Sequence, residues 1–254
     1  MIPRLYLDAP LAEGAAVALG PEQAHYLRNV LRREAGADIL VFNARDGEYA
    51  ATLEAIGKKA AAARLGGRTR APQDEPDILL LFAPLKRAAV ELIIQKGVEL
   101  GAAGFAPVFT DRANADRVRI DRLQAIAQEA AEQCGRLSVP PVTEPMRLAE
   151  TLLRWDLSRT LYFCDEAGDD PSREWGGEDG RAAPMFDVVK DATHAKSAIL
   201  IGPEGGFSPD ERKWLRALGF VRPVTLGPRI LRADTAAIVS LALWQAAAGD
   251  LRRR

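Results

Sequence analysis

Hydrophobic and polar positions alternate over short stretches of residues 1–70, a pattern typical of β-strands. The alternation predicts strands over residues 4–7, 38–42, 48–56 and 59–65. Residues 21–33 interrupt it, because Leu27 and Leu31 stand at a helical spacing, and we predict one helix there. The next segment, 66–76, is rich in glycine, proline and charge and is typical of a linker.

Beyond this segment, strand and helix patterns alternate. Residues 78–82 form a continuous apolar run, which is typical of a parallel strand buried on both faces. The predicted strands are 78–82, 105–109, 160–163, 198–202 and 224–226, and the predicted helices are 85–100, 120–137, 147–155, 209–218 and 235–248. Residues 164–196 are predicted to be mostly loop with one short helix. This alternation favours an α/β fold with a parallel sheet covered by helices.

The composition is that of an ordinary globular protein, with 254 residues of which 48% are hydrophobic and 27% charged. No apolar run approaches the roughly 18 residues of a membrane helix, and the first residues lack the apolar core of a signal peptide. We therefore expect a cytoplasmic location. Because the net charge is −1, an RNA-binding function would require positive side chains concentrated in one place.

The two cysteines, Cys134 and Cys164, and the two histidines, His25 and His194, are scattered along the chain. They show no metal-ligand spacing, so we predict no metal site and no cysteine or histidine nucleophile. Each cysteine is expected to be a small buried hydrophobic residue.

The segment 200–211 runs from an apolar strand through a glycine-rich turn into a helix. Ser208 is the predicted N-cap, Pro209 the first helical residue and Glu211 the third, which makes a capping box. Glycines let a backbone approach a ligand closely, and α/β proteins bind ligands at the carboxyl ends of parallel strands. The glycine spacing fits neither the dinucleotide fingerprint nor a phosphate loop. The segment is either a ligand-binding turn or a simple strand-to-helix turn.

The segment 226–237 repeats this arrangement, with a strand that ends in glycine and a short loop before a helix. Asp234 is the predicted N-cap of that helix. Arg229 and Arg232 in the loop would suit an anionic partner, or are solvated charges beside a cap.

Together the two segments resemble the cofactor site of the SPOUT methyltransferases. Residues 201–206 followed by 226–232 resemble more closely the 16S rRNA (uracil-N3)-methyltransferase family. That family usually continues Arg-x-Glu-Thr-Ala, whereas this chain has Asp234 in place of the glutamate. Further resemblance to the family lies in residues 25–32, 95–101 and 129–136. The acidic segment 165–191 has no counterpart in the family and is specific to this chain.

The resemblance implies a SPOUT-type, trefoil-knotted parallel sheet with helices on both faces, preceded by a small PUA-like β-barrel. It implies an RNA-binding domain over residues 1–72 and a methyltransferase domain with a C-terminal knot over residues 73–254. It also implies a homodimer, with S-adenosylmethionine bound in the knot. The implied cofactor-binding residues are Leu200, Gly202, Pro203, Gly205, Gly206, Leu226, Gly227, Ile230, Leu231, Thr235 and Ala236.

The implied reaction moves a methyl group from a sulfonium to N3 of a uridine in 16S rRNA. Because N3 carries a proton, the reaction needs deprotonation or charge stabilisation as attack begins. Because N3 lies on the Watson–Crick edge, the base has to be unpaired or flipped. Arg232 is our candidate for stabilising charge on the uracil oxygens, with Arg229 as a substitute or phosphate contact. Glu204 and Asp234 are the candidate bases, and capping or a dimer contact is the alternative role for each.

The implied partner is 16S rRNA or the 30S subunit. Arg28 and Arg32 stand four residues apart, which would place them on one helix face near His25. The candidate RNA-binding residues are His25, Arg28, Arg32, Lys86, Arg112, Arg136 and Arg229.

Three alternatives remain at this point. A SPOUT enzyme could act on a ribose 2′-hydroxyl, which requires no N3 deprotonation. A protein that has lost catalysis could bind RNA during ribosome assembly, although the intact glycine turns and Arg232 disfavour this. A nucleotide-dependent oxidoreductase is disfavoured because the dinucleotide fingerprint is missing.

Overall fold

The computed structural model describes residues 2–113, 118–165, 182–190 and 196–252. His194 and most of the acidic segment lie outside these described residues. The chain forms two compact units: the first comprises Met1–Asp74 and Gln128–Val139, and the second Glu75–Ala127 and Pro140–Arg254. In the described part, no helix is long and apolar enough to cross a membrane.

The first unit is built on a five-stranded sheet. Its elements are β1 (Arg4–Tyr6), β2 (Ala16–Leu19), α1 (Pro21–His25), β3 (Asp38–Asn43), β4 (Gly47–Ile56) and β5 (Ala61–Arg70). The strand order is β1-β3-β4-β5-β2, with β1 parallel to β3 and the other pairs antiparallel. The inward residues of the alternating strands, such as Leu5, Val41 and Leu53, form the core with Leu27.

Strand β5 is longer than predicted, and the linker prediction was wrong for residues 66–70. Arg68 and Arg70 pair with Tyr49 and Glu48 of β4. The glycines that suggested a linker lie within this paired strand. Ladder hydrogen bonding therefore outweighs local composition in this segment.

The helix predicted over 21–33 ends earlier. After α1 the chain makes one π-helical turn, Tyr26–Val30, and Arg32 then adopts a left-handed backbone with φ 52°. The amide of Arg33 donates to the carbonyl of Leu27, which closes the helix through the left-handed residue. The prediction that Arg28 and Arg32 share a helix face was therefore wrong.

The end of α3 (Ile120–Cys134) belongs to the first unit. Arg4 donates to three backbone carbonyls at this helix end, over 2.9–3.1 Å, and pairs with the buried Glu48 at 2.7 Å. Cys134, the last helical residue, is exposed, so its predicted burial was wrong. It stands in the last turn, where the side chain is free to face solvent.

The second unit is built on a seven-stranded sheet in which every pairing is parallel. The strand order is β10-β12-β9-β11-β6-β7-β8. The strands are β6 (Ile78–Phe82), β7 (Gly104–Phe109), β8 (Met146–Arg147), β9 (Thr160–Cys164), β10 (Ala183–Pro184), β11 (Ser197–Ile201) and β12 (Val221–Thr225). The remaining helices are α2 (Arg87–Glu99), α4 (Leu148–Leu153), α5 (Met185–Val189), α6 (Pro209–Ala217) and α7 (Ala233–Ala247).

Helices cover both faces of this sheet. On one face Leu148 of α4 and Leu215 of α6 pack in a cluster with Leu81 and Leu200 of the central strands. On the other face Gly97 of α2 lies against the ring of Phe105 and close to α7, where a larger residue would not fit. Central strands buried on both faces account for the continuous apolar runs in the sequence.

Candidate active site

The loop after β11 is shaped by its glycines. A Cβ on Gly202 would lie 2.5 Å from the ring of Phe207, which folds back under the loop and packs edge-on against Phe163 at 4.8 Å. Gly206 has φ 66°, and its amide donates to the carbonyl of Pro203 at 2.9 Å. The loop is therefore a tight turn that exposes its backbone to the adjacent cleft.

Helix α6 begins as the sequence predicts. The amide of Glu211 donates to Ser208 Oγ at 3.1 Å, and the amide of Ser208 donates to Glu211 Oε2 at 3.0 Å. This reciprocal capping box confirms the predicted helix start. It also fixes the end of the loop over residues 202–207, called the glycine loop below.

The second loop follows β12, and the prediction for its helix start was wrong. Gly227 has φ 118° and is held by Thr225 Oγ1 at 3.3 Å. Helix α7 begins at Ala233 with Arg232 as the N-cap residue, so Asp234 lies inside the first turn. Its carboxylate accepts from the amide of Thr235 at 2.7 Å. An acidic side chain in the first turn is favoured by the helix dipole without being the cap.

The two loops enclose a cleft of about 590 Å³ at the carboxyl end of β11. Its lining residues are Cys164, Ile201, Gly202, Pro203, Glu204, Gly205, Gly206, Phe207, Ile230, Leu231, Arg232, Ala233 and Ala236. The walls are mostly apolar or backbone, and the charged groups are one carboxylate and one guanidinium. The carboxyl edge of a parallel sheet is where α/β proteins bind ligands.

Seven of the cofactor candidates line this cleft: Gly202, Pro203, Gly205, Gly206, Ile230, Leu231 and Ala236. The described lining does not include Leu200, which is buried within β11, or Leu226, Gly227 and Thr235. Ile230 is 91% exposed, an unusual state for a large apolar side chain on a ligand-binding loop.

Two of the three catalytic candidates meet at the mouth of the cleft. Arg232 Nη2 lies 3.7 Å from Glu204 Oε1, and the two side chains are 77% and 50% exposed. The separation is longer than a hydrogen bond, so each group stays available to a substrate. Asp234 is not part of the described cleft lining.

Hydrogen bonds link the loop after β7 to the glycine loop and to the start of α6. Ser208 Oγ donates to Asp111 Oδ2 at 2.7 Å, and the amide of Asp111 donates to Glu211 Oε1 at 2.8 Å. Arg112 Nη1 donates to the carbonyl of Gly205 at 3.1 Å. Arg112, a candidate RNA contact, therefore also supports the wall of the cleft.

The residues of the cleft that sequence reasoning missed are Cys164, Ile201, Phe207 and Ala233. They are apolar or small, and they resemble ordinary core positions in the sequence. Asp165, at the end of β9, was also missed: it is buried and accepts from Arg212 at 2.6 Å and from Arg216 at 2.7 Å. The spacing of these two arginines, one helical turn apart on α6, was the available signal.

The RNA-binding candidates divide between the units. His25, Arg28 and Arg32 are exposed in the first unit, and His25 Nδ1 lies 2.8 Å from the side-chain amide of Asn29. Arg136, also in that unit, hydrogen-bonds through Nε to Ser138 Oγ at 2.9 Å. Lys86, Arg112 and Arg229 are exposed in the second unit.

The chain combines a glycine-lined cleft on a parallel α/β sheet with a separate small β unit, and comparison with known families shows which class of protein this is. Residues 73–245 match the model of the RNA methyltransferase domain, and residues 19–66 match the RNA methyltransferase PUA domain. The class is therefore that of the RNA methyltransferases, and the predicted SPOUT-type α/β fold is confirmed.

Comparison with individual relatives identifies the family within the RNA methyltransferases. Ribosomal RNA small subunit methyltransferase E of Rickettsia conorii is 29% identical, over 94% of this chain and 93% of its own length. The Synechocystis protein of the same name is 32% identical, over 90% of this chain and 72% of its own length. The crystal structure of that methyltransferase from Neisseria gonorrhoeae, bound to S-adenosyl methionine, has a TM-score of 0.84 and 28% identity over 98% of this chain and 99% of its own. The chain belongs to the ribosomal RNA small subunit methyltransferase E family, and the predicted family is confirmed.

Proposed function

We propose that this protein uses S-adenosylmethionine to methylate N3 of a specific uridine in the 16S rRNA of the small ribosomal subunit. The observation that carries the proposal is the cleft at the carboxyl end of β11, with Arg232 and Glu204 together at its mouth. Membership of the family makes the protein an S-adenosylmethionine-dependent rRNA methyltransferase. The reaction takes place where small subunits are made, in the cytoplasm.

The cleft fits the cofactor. Its volume accommodates a ligand of this size, and a Cβ at Gly202 would displace the ring that forms its floor. The glycine loop offers backbone groups, while Leu231 and Ala236 offer apolar walls. When bound there, S-adenosylmethionine supplies a methyl group carried by a sulfonium, and Glu204 contributes the negative charge that a cation favours.

Glu204 and Arg232 have different roles at the uracil ring. Glu204 accepts the N3 proton as the N3–methyl bond forms, and Arg232 donates to the uracil oxygens on which negative charge develops. Both are exposed at the cleft mouth, where an unpaired base can reach them. We assign Asp234 to the start of α7, because its carboxylate is used by the amide of Thr235.

We propose that residues 1–72 form a PUA-like RNA-binding domain and residues 73–254 the methyltransferase domain. His25, Arg28, Arg32 and Arg136 contact RNA from the first, and Lys86, Arg112 and Arg229 from the second. All except Arg136 are exposed, and their arginine and lysine side chains supply the positive charge that RNA binding requires in a protein of near-neutral net charge.

We also propose that the protein is a homodimer joined through α7. One side of this helix is buried in its own unit, whereas the opposite side is apolar and at least partly exposed: Ile238, Val239, Ala242, Leu243 and Ala246. Ala236, which lines the cleft, lies at the edge of this side. A partner seated there would lie beside the cofactor site and could cover Ile230.

The test is methylation of small ribosomal subunits that lack the modification, with radiolabelled S-adenosylmethionine, followed by nucleoside analysis. Label in 3-methyluridine is expected. Label in a 2′-O-methylated nucleoside would overturn the reaction while keeping the cofactor. If the cofactor binds but no label enters any nucleoside, the small subunit is not the substrate, and tRNA methylation or a role in assembly replaces the proposed reaction.

A further inference from the structure

A second recess lies between the first turns of α2 and α3. It has a volume of about 170 Å³. Its lining residues are Pro84, Leu85, Arg87, Val90, Glu91, Val118, Arg119, Arg122 and Leu123. Of the residues that the structure describes, none lines both this pocket and the cleft.

The pocket nevertheless opens at the same edge of the sheet as the cleft. Strands β6 and β11 are adjacent and parallel, with Phe82 opposite Ile201, and the amide of Ala83 donates to the carbonyl of Ile201 at 2.9 Å. Pro84 of the pocket and Gly202 of the cleft follow directly on these paired residues. Neighbouring strands lie about 4.8 Å apart, so the chain segments that lead into the two recesses leave the sheet side by side.

The lining combines an apolar floor with a basic rim. Pro84, Val90 and Leu123 are buried, and Leu85 is half-buried beside them. Arg87, Arg119 and Arg122 are exposed around them. An apolar surface takes the face of a nucleobase, and guanidinium groups pair with phosphate in a fork or stack on a base.

The acidic side chains in and beside the pocket form ion pairs with these arginines. Arg87 Nε donates to Glu91 Oε1 at 2.7 Å, and Arg122 donates to both oxygens of the same carboxylate. These hydrogen bonds, that of Arg122 first, lower the pKa of Glu91 to about 2. Arg119 pairs with Asp121 at 2.7 Å. One carboxylate shared by two guanidiniums leaves the rim positive.

We propose that this pocket binds a nucleotide that flanks the target uridine, with its base on the apolar floor and its phosphate on Arg87 and Arg122. The inference rests on the proposed function. Methyl transfer has to occur in the cleft, and the pocket shares no described lining residue with it, so its occupant is a neighbour of the reacting base. Glu91 holds the two guanidiniums in place until the phosphate replaces it.

The test compares steady-state methylation of the unmodified small subunit by Arg122→Ala and Glu91→Gln. Arg122→Ala should raise the KM for RNA about tenfold, because a charge-assisted contact is lost, and leave the KM for the cofactor unchanged. It should also reduce the slope of log affinity against log salt by about 0.7, as expected for one phosphate on single-stranded RNA. Glu91→Gln should lower the KM for RNA about threefold, because the competing carboxylate is removed.

Arg154→Ala, an exposed arginine just after α4, is the matched control and should leave every constant unchanged. If Arg122→Ala matches this control, or if Glu91→Gln weakens RNA binding, the pocket does not bind a phosphate and the inference fails. A wild-type protein that methylates no rRNA would instead refute the proposed function. Cofactor binding by calorimetry establishes that each variant is folded.

Discussion

Gly202 affects both the packing of the glycine loop and the shape of the cleft that the loop lines. The ring of Phe207 occupies the space beside its Cα, and the same ring packs on Phe163 in the core of the second unit. A side chain at this position would have to displace a buried ring or move the loop backbone. Residue 202 therefore sets both the packing under the cleft and the shape of its floor.

Gly202→Ala should weaken S-adenosylmethionine binding about tenfold, or about 1.4 kcal/mol, because the added methyl group displaces the Phe207 ring or the loop that shapes the cleft. Isothermal calorimetry measures the affinity. Gly219→Ala is the control, because nothing lies within 4 Å of a Cβ there. Equal affinities in the two variants would show that the Gly202–Phe207 contact does not shape the site.

Arg232→Ala tests the role of charge at the cleft mouth. We expect kcat to fall about a hundredfold, as when one preorganised donor to a developing anion is removed, with little change in cofactor affinity. The control is Lys213→Ala, an exposed cation on α6. If KM for RNA rises while kcat is unchanged, Arg232 is a binding residue and does not stabilise the reacting base.

At the scale of elements, α6 is held by ion pairs along one of its faces and by a capping box at its first turn. Asp165 is fully buried between Arg212 and Arg216, whose side chains are 20% and 18% exposed. This triad anchors α6 at the end of β9, and the capping box at Ser208 anchors it to the glycine loop. The position of the helix therefore controls the geometry of the cleft.

Asp165→Asn should destabilise the protein by about 3 kcal/mol, because it leaves two largely buried guanidiniums without their counter-charge. Thermal or urea unfolding measures the loss. Asp210→Asn, an exposed carboxylate on the same helix, should change the free energy of unfolding by less than about 0.5 kcal/mol. Similar losses in both variants would mean that the triad contributes no specific stability.

At the scale of the whole molecule, α7 has one side in the core and one apolar side that the single chain leaves partly exposed. Val239→Asp, in the middle of that side, should convert the proposed dimer to a monomer and lower activity. Light scattering coupled to gel filtration measures the mass. Ala125→Asp, at an exposed position of α3, is the control and should stay dimeric. A wild-type protein that is monomeric at micromolar concentration would refute the dimer.

The sequence by itself determined the elements whose signal is local. The apolar run of β6 and the capping box of α6 were predicted correctly, because burial and capping act over a few residues. The two loops that meet in the cleft were recognised in the same way, and so was the family. The start of α7, the end of the first helix and the exposure of Cys134 were not, because several local choices are nearly equal there and packing selects among them.

Only the tertiary structure decided which distant residues meet. The hydrogen bond from Arg112 to Gly205 joins residues 93 positions apart, and Arg4 holds the end of α3 more than 120 positions away. The same holds for Asp165 under α6 and for the pairing of Glu204 with Arg232. These contacts depend on how strands are ordered in the sheet, and no periodicity along the chain records that order. The physical reason is that the periodicity of hydrophobic residues along the chain indicates only whether a residue is buried. Which residue it packs against depends on the packing of the whole sheet.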